Sequence, residues 1–86
     1  MSTPTRRGVL MQSSGAEGWM VYEPDSDSLH ALNDSARAIW ELCDGSTSPS
    51  EMAAAISELT GVELSMAQRD VDETLSLLRR LGLVTD

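Results

Sequence analysis

Short apolar runs alternate with polar turn segments in the first third of the chain. Residues 8–11, 19–22 and 29–32 are apolar or rich in strand-forming residues. Residues 12–18 are polar and contain glycine, and residues 23–28 contain Pro, Asp and Ser, which favour turns. Three runs at roughly ten-residue spacing therefore predict three short strands in an antiparallel meander.

The apolar period becomes helical after Asn33, a residue type that favours the N-cap of a helix. The next apolar positions recur at i, i+3, i+4 and i+7, which places them on one helical face. We therefore predict a first helix that ends at residues 44–45, with an apolar stripe formed by Ala36, Ile39, Trp40 and Cys43.

Two capping boxes predict the starts of two further helices. In the first box, Ser48 is the N-cap, Pro49 occupies the first helical position and Glu51 is the reciprocal partner. Ser65 and Gln68 have the spacing of a second box. The chain after residue 33 is therefore expected to contain three helices.

The two later helices have aliphatic faces and are followed by glycines. Gly61 and Gly82 stand where a left-handed residue usually ends a helix. The predicted buried face of the second helix is formed by Met52, Ile56 and Leu59. The predicted apolar face of the third helix is formed by Val71, Leu75 and Leu78 and is widened by Leu77 and Leu81, and Leu83 and Val84 follow as an apolar tail.

Together these elements predict an α+β fold, in which a three-stranded antiparallel sheet is followed by three helices. The 86-residue chain has the length of one small domain. Residues 1–6 begin with small polar side chains and are expected to be disordered. The predicted domain therefore spans residues 7–86.

The charge balance excludes several partners. Fourteen acidic residues face six arginines and no lysine, which gives a net charge of -8. The arginines are dispersed along the chain, so duplex nucleic acid and anionic membranes are disfavoured as partners. No apolar run has the length of a membrane span, and residues 1–7 have two arginines but no apolar segment after them, so we do not predict a secretion signal there. We therefore expect a cytoplasmic protein.

Residues that carry chemistry are scarce. His30 is the only histidine and Cys43 the only cysteine, and each lacks the partners that a metal site or an activated nucleophile requires. We expect a partly exposed strand position for His30 and a buried one for Cys43. No enzyme activity, metal or cofactor is predicted.

A three-stranded meander leaves two sheet edges with unpaired backbone groups. An extended peptide can add to such an edge as a further strand. The third predicted strand leads directly into the helices, so a peptide paired there would lie in a trough with a helical wall. The sequence therefore favours a peptide-binding module.

Residues distributed over most of the chain resemble the PqqD-like family, the recognition elements of pathways that modify ribosomally made peptides. The resemblance covers residues 9–84. It is carried by Leu29 to Asn33, Ala36, Ile39 and Trp40, Leu42 to Gly45, Glu51, Ile56, Asp70 and Val71, Leu75, Leu78 and Gly82 to Val84.

The resemblance implies a winged helix-turn-helix-like arrangement and a function without chemistry. In this family the leader segment of a precursor peptide adds as a fourth strand antiparallel to the third strand and packs beside the third helix. The protein then presents the precursor to a modifying enzyme. That partner is a radical SAM enzyme, as in pyrroloquinoline quinone synthesis, or a leader peptidase and a cyclase, as in lasso-peptide pathways.

Carried onto this chain, the resemblance implies a site with two walls. The backbone of the third strand pairs with the leader, and a stripe of the third helix contacts its side chains. A second stripe, through Glu73 and Arg80, is an open alternative. Trp40 resembles the core aromatic of the family, and the place of Trp19 stays open. The expected peptide-binding residues are Leu29, His30, Ala31, Leu32, Asp70, Thr74, Leu77 and Leu81.

Two alternatives come from other functional classes. A winged-helix DNA-binding protein is compatible with the architecture, but residues 68–73 at the start of the third helix are net negative. A structural module that pairs its own sheet edge into a homodimer is the other alternative. The acidic balance in turn favours a leader that carries Lys or Arg.

Overall fold

The computed structural model describes residues 3–12 and 19–86. It confirms the α+β class, with a three-stranded antiparallel sheet followed by three helices. A short two-stranded sheet joins the two ends of the described chain. The elements in chain order are β1 (Thr5–Arg6), β2 (Val9–Gln12), β3 (Trp19–Glu23), β4 (Ser28–Leu32), α1 (Asp34–Leu42), α2 (Pro49–Thr60), α3 (Leu64–Arg80) and β5 (Val84–Thr85).

The larger sheet has the order β2-β3-β4, with every pair antiparallel. Val21 in the central strand pairs with Leu10 of β2 and with His30 of β4. Val21 is fully buried and Leu10 packs against the core, so this row of side chains faces the helices. Of the loop predicted at residues 12–18, Gln12 ends β2 and residues 13–18 lie outside the described part of the chain.

The N-terminal segment differs from the expected disorder over residues 3–6. Pro4 is fully buried, and Arg6 pairs with Val84 where β1 meets β5. The Arg6 amide also donates a hydrogen bond to the Cys43 carbonyl at 2.7 Å. These partners are distant in sequence, so local composition carried no sign of them. Residues 1–2 lie outside the described part.

Side-chain caps begin the first two helices as predicted. The Asn33 carboxamide oxygen accepts a hydrogen bond from the Ala36 amide at 2.8 Å. Ser48 and Glu51 form both bonds of the capping box, at 3.2 and 2.9 Å. Gly61 has a φ of 77° and ends α2 in the left-handed conformation that favours glycine.

The start of α3 differs from the prediction. The helix begins at Leu64 with Glu63 in the N-cap position, and Glu63 makes no side-chain capping bond. Ser65 therefore lies inside the first turn, and the predicted box of Ser65 with Gln68 is wrong. The hydrophobic contacts of α3, rather than a cap, determine where it packs.

The buried face of α2 also differs from the prediction at one position. Met52 and Ala53 are fully buried and Ile56 is partly buried, whereas Leu59 is 84% exposed. The contact stripe is centred between Met52 and Ala53. Leu59 and Met52 are only about 20° apart around the helix, but Leu59 lies in the last turn of α2, which ends at Thr60.

One hydrophobic core joins both walls of the expected site. It combines Val21 and Leu32 of the sheet with α1, α2 and α3. Trp40 is 4% exposed, and its indole N–H donates to the carbonyls of Arg7 and Leu83 at 3.2 and 3.1 Å. Trp40 is thus the core aromatic that the resemblance implied.

Candidate functional site

The β4 strand forms one edge of the three-stranded sheet. Within residues 3–12 and 19–86, its only strand partner is β3. In antiparallel pairing, alternate residues direct their N–H and C=O groups toward opposite sides of a strand. Part of the β4 backbone therefore points away from β3, toward the position that a further strand would occupy.

The side chains of β4 alternate between solvent and core. Leu29 is 54% exposed and Ala31 is also exposed, whereas His30 is partly buried and Leu32 is buried. Leu32 belongs to the hydrophobic core. Among the expected strand residues, Leu32 thus offers only its backbone at the edge, while Leu29 and Ala31 also offer exposed side chains.

A chain of hydrogen bonds orders the turn that leads into β4. The Glu23 carboxylate accepts bonds from the amide and the hydroxyl of Ser26, at 2.7 and 2.9 Å. The Ser26 and Ser28 hydroxyls are 2.6 Å apart, and Ser28 Oγ lies 3.0 Å from His30 Nε2. The sequence analysis did not predict these hydrogen bonds. The i, i+2 spacing of Ser26, Ser28 and His30 was the pattern that could have indicated them.

Glu23 is the ionisable acid in this series of hydrogen bonds, and it is 4% exposed. Burial acts to raise the pKa of its carboxyl. The hydrogen bonds from Ser26 and the Asp25 backbone, with the nearby Arg7 charge, outweigh burial and lower the pKa. The Arg7 guanidinium lies 3.6 Å from the Glu23 carboxylate and also pairs with Asp25. The turn before β4 is therefore held by an ionised carboxylate.

The buried stripe of α3 turns one flank of the helix toward α2. Gln68 and Asp72 line a shallow depression of about 180 Å³ together with Pro49 and Ser50 at the start of α2. Each residue rotates a helix by about 100°, so positions 68 and 72 share one flank of the stripe. The buried residues that form this stripe are Ala67, Val71, Leu75 and Leu78.

The opposite flank carries the four expected helix residues. Their spacing of i, i+4, i+7 and i+11 places Asp70, Thr74, Leu77 and Leu81 on one stripe. Thr74 and Leu81 are partly buried, Leu77 is 40% exposed and Asp70 is exposed. This flank therefore lies between the core and solvent, and its apolar side chains are those of Leu77 and Leu81.

The alternative stripe is more polar and lies farther round the helix. Glu73 and Arg80 are both exposed. At about 100° per residue, both positions lie beyond Leu77 from the centre of the buried stripe. A ligand seated on them would contact mainly hydrated charges.

Helix α1 connects the two walls, because it packs against both β4 and α3. The walls therefore share one hydrophobic core. Trp19, whose place the sequence left open, is partly buried on the inner face of the sheet. The Arg37 guanidinium carbon stacks 3.8 Å from the centroid of its ring.

Cys43, the one cysteine of the sequence, lies in the hydrophobic core. Cys43 is buried, its thiol donates to the Ile39 carbonyl at 3.2 Å, and burial raises the pKa of the thiol to about 11. In the described ranges, no group of three or more His, Cys, Asp or Glu side chains could hold a metal ion. None of the helices described is long and apolar enough to span a membrane.

A protein-family model described as coenzyme PQQ synthesis protein D (PqqD) matches residues 18–84. The chain belongs to the PqqD family. The match includes β3, β4 and all three helices, so both walls of the candidate site lie within it. It starts later than the resemblance over residues 9–84 and leaves out β2.

Searches of curated proteins and of solved structures found no match for the chain. Membership of the PqqD family indicates a peptide-binding accessory protein in PQQ-like biosynthesis. The proteins of this family act through recognition of a precursor peptide and partner a biosynthetic enzyme.

Proposed function

We propose that this PqqD-family protein binds the leader segment of a ribosomally synthesised precursor peptide and presents it to a modifying enzyme. The leader adds as a fourth strand antiparallel to β4 and docks against the flank of α3 formed by Asp70, Thr74, Leu77 and Leu81. The observation that carries this proposal is the edge position of β4 in the described sheet, joined through α1 to the half-exposed flank of α3.

Main-chain hydrogen bonds to β4 supply part of the affinity in this proposal. Such bonds form with any extended sequence, so they give little specificity. The hydrogen-bonded turn from Glu23 to Ser28 holds the start of β4 in place before the peptide arrives. A preordered strand lowers the entropic cost of adding another strand.

Side-chain anchors on α3 supply the specificity. Leu77 and Leu81 offer apolar contact surface beside the core, and Thr74 offers a hydroxyl between Asp70 and Leu77 along the stripe. A single added strand buries modest area, so two or three anchors carry most of the side-chain contribution. The net charge of -8, with Asp70 exposed on this flank, favours a leader with Lys or Arg.

The enzyme that receives the peptide is a radical SAM enzyme or, in a lasso-peptide pathway, a leader peptidase with a cyclase. Both partners act on a precursor made by ribosomes, so we place the protein in the cytoplasm. Near the start of α3 the exposed acids Asp70, Asp72 and Glu73 outnumber the single exposed Arg69, and this net negative charge opposes duplex DNA.

Amide hydrogen exchange tests the proposal directly. The protein is measured alone and with the leader peptide of the precursor encoded beside its gene. We expect new protection at the outward amides of β4 and little change at those of β2. Protection of β2 or α2, with β4 unchanged, would contradict strand addition at this edge. Leader binding without any new protection of the β4 amides would also contradict strand addition at this edge.

A further inference from the structure

The face of the larger sheet that points away from the helices is apolar. Val9, Tyr22 and Leu29 form one row across the three strands, and Met11, Met20 and Ala31 form the next. Side chains alternate along a strand, so both rows lie opposite the buried row of Leu10, Val21 and His30. We call these six residues the outer face: Val9, Met11, Met20, Tyr22, Leu29 and Ala31.

The outer face departs from the usual pattern of a sheet covered on one side. Such sheets generally place polar residues toward water. Here Val9, Met11 and Leu29 are 57%, 48% and 54% exposed, and none of the six residues is charged. The core on the other side of the sheet makes no use of these side chains. A contiguous exposed apolar face of this kind marks an interaction surface.

The charge next to the outer face indicates the kind of partner. The Tyr22 hydroxyl donates to the Asp27 carboxylate at 2.7 Å, which brings this acid to one end of the face. Arg7 pairs with Asp25, whereas Asp27 has no ion pair in the described residues. A second copy of this chain would bring another net charge of -8 to the contact. The face therefore fits a surface with an apolar centre and Lys or Arg at its rim.

We infer that the outer face docks the modifying enzyme, through an apolar surface with a basic rim. This inference rests on the proposed function, because it assumes that β4 already holds the leader. A fourth strand on β4 would continue the same sheet, and its alternate side chains would extend the outer face beside Leu29 and Ala31. A protein seated there lies directly beside the bound peptide.

The test uses substitutions on β2, the strand farthest from the proposed leader position. The double variant Val9→Lys with Met11→Lys places two cations on the β2 side of the outer face. Its matched control is Leu59→Lys with Leu64→Lys, which adds the same charge at two exposed leucines outside the sheet. Asp27→Asn is a third variant that removes only the rim charge, and Asn tolerates the φ of 52° at that position.

The probe is the modifying enzyme encoded beside the gene, titrated by calorimetry, with the leader peptide titrated separately. We expect the Val9 and Met11 variant to bind the enzyme about tenfold more weakly or worse. Asp27→Asn should lose a few-fold in enzyme affinity. The Leu59 and Leu64 control should bind the enzyme close to wild type, and the two double variants should bind the leader with equal affinity, because they change the net charge equally.

Three results would overturn the inference. In the first, the Val9 and Met11 variant binds the enzyme as tightly as the wild type does. In the second, the wild type does not bind the enzyme at all. In the third, the wild type sediments as a dimer and the Val9 and Met11 variant sediments as a monomer. A different result would separate the two proposals. If the wild type did not bind the leader but the Val9 and Met11 variant still lost enzyme affinity, the proposed function would be contradicted and the docking face supported.

Discussion

The indole N–H of Trp40 lies 3.1 Å from the carbonyl oxygen of Leu83 and donates a hydrogen bond to it. The same N–H also faces the carbonyl of Arg7 at 3.2 Å. One side chain of α1 therefore joins the segment before β2 to the segment before β5. This junction holds the two ends of the domain against the core that supports both walls of the site.

Loss of the Trp40 hydrogen bonds should lower the free energy of unfolding. Trp40→Phe keeps an aromatic ring but removes the indole donor from the partly buried Arg7 carbonyl and from the buried Leu83 carbonyl, which keeps only its bond from the Arg7 amide. We expect a loss of about 1–3 kcal/mol in urea unfolding followed by circular dichroism. Trp19→Phe, at a partly buried strand position, is the control and should cost less. If Trp40→Phe lowered the free energy of unfolding by no more than Trp19→Phe does, the Trp40 hydrogen bonds would not stabilise this junction.

Glu23 should make stability depend on pH in the acid range. Its pKa is lower in the folded protein than the ordinary value of 4.5, because hydrogen bonds and the Arg7 charge outweigh the effect of burial. The stabilisation is therefore fully present above pH 4.5 and is lost as pH falls through the lower folded pKa. Glu23→Gln should be less stable than wild type at pH 7, and the difference should shrink in acid.

Thermal unfolding of Glu23→Gln and wild type between pH 3 and 7 measures this effect. Glu58→Gln is the control, because Glu58 is exposed on α2 and no hydrogen bond or ion pair is described for it. A difference between Glu23→Gln and wild type that stays constant across the range would show that the carboxylate charge does not stabilise the turn.

Leu77→Asp should abolish leader binding while the fold stays intact. Leu77 is 40% exposed, so a carboxylate there is solvated in the free protein, but it would be desolvated against an apolar anchor of the leader. Fluorescence anisotropy with a labelled leader measures the affinity, and circular dichroism confirms the fold. Leu59→Asp makes the same change at a position 84% exposed on α2 and should bind normally.

Survival of binding in Leu77→Asp would place the groove elsewhere. Arg80→Asp then becomes the informative variant, because it tests the stripe through Glu73 and Arg80. Loss of binding in Arg80→Asp alone would assign the peptide to that stripe.

Leader affinity should fall as salt concentration rises. The acidic protein attracts a basic leader, and ions screen exposed charges over about 10 Å at 0.1 M. We expect several-fold weaker binding between 50 and 500 mM potassium chloride, and a smaller slope for Asp70→Asn. A leader with its Lys and Arg replaced by Gln is the control. A salt-independent affinity for the natural leader would contradict electrostatic attraction.

The N-caps of α1 and α2, the apolar stripe of α1 and the strand at residues 29–32 were all predictable. Each of these signals lies within a few residues of the element it defines, because capping bonds and periodic faces are local. Asn33 and Ser48 needed only neighbouring amides. The resemblance to the PqqD-like family was spread over the same elements, and the family match confirms it.

Contacts between residues distant in sequence determined the features that the sequence did not predict. Residues 3–6 gain order from Val84 and Cys43, which no local pattern associates with them. Leu59 is 84% exposed although its position on α2 is only about 20° from that of buried Met52, so helical spacing did not reveal its exposure. The apolar outer face became visible only through strand register, since a strand displays two faces and its sequence does not say which one a core will cover.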